Sequence, residues 1–137
     1  MNKTIYKKIA ALVAVVFSLL TIVEGAQVLL GITQPDYVVH TPLLIYNVVM
    51  GFVGLLVGVV LWINHGWSLR LTTMVVGAHI IVLLIVGVIY LSGVAIALHS
   101  VNAMAIRSAI WAAITLVAWK NPVNTLLSNK TNINKHI

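Results

Sequence analysis

There is no cysteine anywhere in this chain, which excludes a disulfide framework, a thiolate-ligated zinc or iron–sulfur site and a thiol nucleophile. Acidic residues number two, Glu24 and Asp36, and charged residues of both signs make up only 7% of the 137 residues. So small a supply of charge cannot cover a soluble domain in which 61% of the side chains are hydrophobic and the mean hydropathy is +1.10. Such a surface calls for lipid as its solvent. Catalytic signatures are missing too: there is no HExxH, no GxSxG and no glycine-rich phosphate loop, so the sequence assigns no enzymatic activity.

What the chain does have is four long apolar runs, each near the roughly 20 residues that cross a bilayer. They lie at about Ile9–Leu30, Pro42–Ile63, Leu71–Leu91 and Ala103–Trp119, and a polar tail follows over 120–137. The breaks have chemical causes: "GITQPDYVVHTP" carries Gly31, Pro35 and Pro42, "NHGWSLR" carries Asn64 and Gly66, and Pro122 follows the last run. "SGVAIALHSVNA" can extend either neighbouring run. Val and Ile are common, but "MGFVGLLVGVVLWI" does not alternate apolar with polar as a barrel strand must. The expected fold is therefore all-α: a single domain, an integral membrane four-helix bundle.

Orientation follows from the basic residues. The N-terminal segment has Lys3, Lys7 and Lys8, the second connection has Arg70 and the C-terminal tail has Lys120, Lys130 and Lys135, whereas the first connection has neither Lys nor Arg. Both termini are expected on the cytoplasmic side of a plasma (inner) membrane. Trp62, Trp67 and Trp119 then fall at the inner interface, and Tyr37, Tyr46 and Tyr90 near the outer one. The net charge of +6 is read as membrane orientation and attraction to anionic headgroups, with no nucleic-acid role. On this topology the two "NKT" sequons, at Asn2 and Asn129, lie inside and receive no glycan. The basic start and apolar first run are also the parts of a secretory signal, but Glu24 would sit near the cleavage position, where a small neutral residue is wanted.

Counted at about 1.5 Å per residue, Glu24, Asn47 and Arg107 fall roughly 6–9 Å below the outer ends of helices one, two and four. Gln27 lies one turn above Glu24, and Tyr90 closes the outer end of helix three. These five residues predict an intramembrane polar layer. A charge at the centre of a span costs about 2.5–3.5 kcal/mol on insertion scales, and pairing relieves it, so Glu24 is expected to meet Arg107. That pair either fixes helix register or forms part of an outward-facing ligand pocket.

Gly51, Gly54 and Gly58 of helix two, in line with Asn47, recur at steps of three and four. Such a seam admits a close-packed helix, from the same bundle or from a partner or second copy. His79 is an isolated interior histidine and a possible secondary site; no second histidine shares its depth, so no haem or other cofactor is expected. Asp36, His40 and His99 project from the outer side as metal-ligand candidates without a ligand-spacing signature.

Three functions remain: an accessory, assembly or interaction subunit of a membrane complex; a small transporter, channel or lipophile-binding protein with a polar pocket around Glu24 and Arg107; and a membrane enzyme or electron carrier. The small multidrug-resistance exporters are similar in outline, with four helices and one glutamate in the first. This chain departs from them in its lysine bias and in the arginine expected beside Glu24, so it is assigned to no family.

Overall fold

The computed structural model describes residues 2–122. It contains α1 (Lys3–Leu29), α2 (Thr41–Trp62), α3 (Ser68–Leu91) and α4 (Leu98–Lys120), with no strand among the described residues. All four helices are long and apolar enough to cross a membrane. The expected polar tail beyond Pro122, with the sequon at Asn129, lies outside the described residues.

The helices start earlier than hydropathy suggests. α1 begins six residues before Ile9 and takes in Lys3, Lys7 and Lys8, while α4 begins at Leu98 and absorbs "LHSVN". Hydropathy sees where apolar side chains end, whereas the backbone hydrogen bonds of a helix continue until a residue breaks them. The breaks are visible. α1 ends in a Schellman turn, with the N–H of Ile32 bonded to the carbonyl of Gln27 at 2.9 Å and Gly31 left-handed at φ 72°. α2 ends the same way, with the N–H of His65 on the Val60 carbonyl at 3.1 Å and Asn64 at φ 55°. Pro42 stands in the first turn of α2, where its missing N–H is harmless.

Each helix buries a stripe with heptad spacing. On α1 it is Lys7, Ala11, Ala14, Ser18, Thr21 and Gly25; on α3 it is Ser68, Thr72, Val75, His79 and Val86. Steps of three and four keep one face turned to a partner helix, as in left-handed bundles. α1 packs most extensively on α2 and α3 on α4, and looser α1–α4 and α2–α3 contacts close the square. The interior mixes large apolar residues such as Leu61, Met104 and Trp111 with small and polar ones such as Ala11, Ala14, Ser18 and Thr72, while many other Leu, Ile and Val side chains point outward; the small residues let the helix backbones approach closely.

The glycine seam of α2 meets α1 of the same chain. A methyl group at Gly51 would fall 2.6 Å from Cγ1 of Ile22, and one at Gly58 would fall 2.6 Å from Cγ2 of Val15. At Gly54 it would strike the hydroxyl of Ser18 and lie 2.8 Å from Cζ2 of Trp111. In this structure the seam is occupied from within.

Candidate functional site

At the end of the bundle that carries the α1–α2 and α3–α4 connections, α1, α2 and α4 separate around a cavity of about 150 Å³. Its roof is the connection between α1 and α2 together with the start of α4: the rings of Tyr37 and His99 stack with centroids 4.5 Å apart, and His40 stands beside them on the cavity wall. Its floor is Thr21, Asn47 and Arg107. Glu24 lines the α1 wall and remains exposed.

Glu24, Asn47 and Arg107 thus line one cavity. The expected ion pair is not closed, however: among the described residues no Lys, Arg or His nitrogen lies within 4.0 Å of a carboxylate oxygen. The two charges face a shared space instead of each other. Gln27 and Tyr90 do not line the cavity. Both are exposed, and the Gln27 carbonyl accepts the N–H groups of Ile32 and Thr33 at 2.9 and 3.2 Å in the turn that ends α1. Counting residues along a helix gives depth but not the direction around the axis, and these two point elsewhere.

Beneath the floor is a smaller void of about 10 Å³, lined by Ser18, Asn47, His79, Arg107 and Trp111 among others. Three buried polar atoms lack any hydrogen-bond partner among the described residues: Ser18 Oγ, Asn47 Oδ1 and Arg107 Nε. All three residues line this void, and Asn47 and Arg107 line the larger cavity as well. Buried polar groups are nearly always satisfied, so a polar guest is expected in the void that these three residues line. The void has the room and the number of partners that a single water requires.

His79 is 2% exposed and belongs to this layer. Its Nδ1 lies 3.1 Å from the hydroxyl of Tyr46, and its ring centroid lies 6.4 Å from that of Trp111. Tyr46 was expected in an outer aromatic belt; it turns inward because the imidazole supplies the partner its hydroxyl needs. His40 and His99 reach the cavity while Asp36 does not, and among the described residues no three His, Asp or Glu side chains gather as a metal site.

Sequence reasoning missed Ser18, Thr21, Tyr37 and Ser100 as cavity-layer residues. For the first two a signal was present, because Ala11, Ala14, Ser18, Thr21 and Gly25 form a small-residue stripe on α1 that mirrors the glycine seam of α2. Nothing local marks Tyr37 or Ser100. The chain matches no protein-family model, and comparison with curated proteins and with solved structures finds no match.

Proposed function

We propose that this is an integral protein of the plasma (inner) membrane, with both ends cytoplasmic, that binds a small polar solute in a cavity opening on the outer side. The observation that carries the reading is the unclosed Glu24–Arg107 pair over a floor whose Asn47 Oδ1 and Arg107 Nε have no partner. An ionisable residue within a span is a functional-site hypothesis by default. Opposite charges across one small space suit a zwitterion, or a neutral solute with a donor at one end and an acceptor at the other. Transport of that solute is the extension of this reading.

The absence of native cysteine makes the test clean. Ser100→Cys, on the cavity wall, should react with a membrane-impermeant maleimide in intact cells, whereas Thr4→Cys should react only after permeabilisation. A panel of small zwitterions, carboxylates and amines is then screened by thermal shift on the purified protein. A stabilising compound whose effect disappears in Glu24→Gln and Arg107→Gln, with both variants folded, supports the reading. An unreactive Ser100→Cys, or no compound acting through those two residues, overturns it.

A second reading, an accessory or assembly subunit, is favoured by α3. Gly77 and Gly87 there face open space, and glycine in a helix interior is disfavoured by roughly 0.5–1 kcal/mol relative to alanine unless something uses it. On this reading a partner helix, not a second copy docked on the α2 seam, covers that face. Copurification from mild detergent that is lost in Gly77→Leu would support it.

A further inference from the structure

Both carboxylate side chains of the chain, Glu24 and Asp36, lie in the last turns of α1 and the connection that follows. The opposite end of the bundle carries Lys3, Lys7, Lys8, Arg70 and Lys120, and residues 123–137 contain no Asp or Glu either. Within that end Lys7 is 3% exposed, and its Nζ donates to Oδ1 of Asn64 at 2.7 Å. An ammonium has three donors, and a neutral amide oxygen does not balance a buried positive charge.

Lys7 lines a cavity of about 90 Å³ with Lys3, Thr4, Asn64, Asn121 and Pro122. Lys3 is one turn from Lys7 on the same face of α1. α1 also begins here, with no side-chain cap on its first amides, so the positive end of its dipole adds to the two lysines. The room is that of several waters, enough for one tetrahedral oxyanion. We propose that this cavity binds a phosphate group, either the phosphodiester of an anionic lipid headgroup or free inorganic phosphate. Trp62, Trp67 and Trp119 stand exposed at the same end, with Lys8 5.5 Å from the Trp62 ring centroid and Arg70 5.6 Å from that of Trp67. If the bundle spans the bilayer as proposed above, that places the cavity at headgroup level; the free-phosphate arm does not rest on that reading.

The test uses the full chain purified in detergent. Native mass spectrometry compares retention of phosphatidylglycerol with that of phosphatidylcholine, and inorganic phosphate is titrated in a thermal-shift assay. Two variants accompany the wild type. Lys3→Gln removes a charge at the exposed rim. Asn64→Asp places a carboxylate where the amide oxygen now meets Lys7, at a left-handed position that aspartate tolerates. A phosphatidylglycerol preference that falls about fivefold in Lys3→Gln and vanishes in Asn64→Asp, without a phosphate shift, supports the proposal with lipid as the source. A phosphate shift lost in the same variants supports it with the free ion as the source. Equal retention of both lipids without a phosphate shift, or a preference unchanged in both variants, overturns it.

Discussion

The hydroxyl of Tyr46 on α2 and Nδ1 of His79 on α3 lie 3.1 Å apart and join the two helical hairpins through a side-chain hydrogen bond. The α2–α3 contact is one of the two looser seams of the bundle, so a polar clasp there fixes the rotation of one hairpin against the other. Tyr46→Phe keeps the ring and removes the clasp. Interhelical hydrogen bonds of this kind contribute about 0.6 kcal/mol, up to about 1.7, and a loss in that range is expected in reversible unfolding in detergent micelles. No loss would mean that His79 satisfies itself elsewhere.

Glycine substitutions should separate by what stands opposite them. Gly54→Ala drives a methyl group into Ser18 and Trp111 and is expected to destabilise by about 1–3 kcal/mol, as overpacking does. Gly77→Ala meets nothing within 4 Å and should be neutral or stabilising by up to about 1 kcal/mol in the isolated protein. Unfolding midpoints measured side by side check the order; a reversed order would show that α1 and α2 do not pack on this seam.

Trp111 is 2% exposed, and its ring touches the position of Gly54 and faces His79. Truncation by Trp111→Ala should cost about 3–5 kcal/mol and enlarge the void under the cavity floor. Trp111→Phe, which keeps most of the ring surface, should lose less than half as much. Equal losses would point to a role for the indole beyond packing.

Glu24→Gln and Arg107→Gln should leave the fold standing, because neither side chain closes an ion pair inside it. For the exposed Glu24 the expected change in unfolding free energy is below about 1 kcal/mol, the scale of exposed or partly solvated pairs; Arg107→Gln removes a buried guanidinium nitrogen without a partner and should not destabilise. Cellular abundance and detergent stability are the readouts. A collapse of abundance in Glu24→Gln alone would return the pair to a purely structural role.

Much of the architecture was legible in the chain, and its errors have one origin. The four helices could be counted because hydropathy is a local sum over about 20 side chains, and the heptad stripe of α1 could have been read from its small residues. The helix starts were misplaced where polar residues such as Lys3 and Ser100 continue a helix that the apolar run alone does not mark. In the sequence Lys7 is only one of several basic residues that set orientation; its burial against Asn64, 57 positions away, spans a distance in sequence that no periodicity bridges.

The sequence by itself determined that this chain makes four long apolar helices and which polar residues each one carries; depth along α4 it misjudged, because the helix begins at Leu98, five residues before the apolar run that places Arg107 near its end. The tertiary structure alone decided how each helix is turned about its axis. That rotation directs Glu24, Asn47 and Arg107 to one cavity while Gln27 and Tyr90 look away, joins Tyr46 to His79, and lays the glycines of α2 against α1. Azimuth is set by the interlocking of whole faces, Gly54 against Ser18 and Trp111, and that information resides in no single segment.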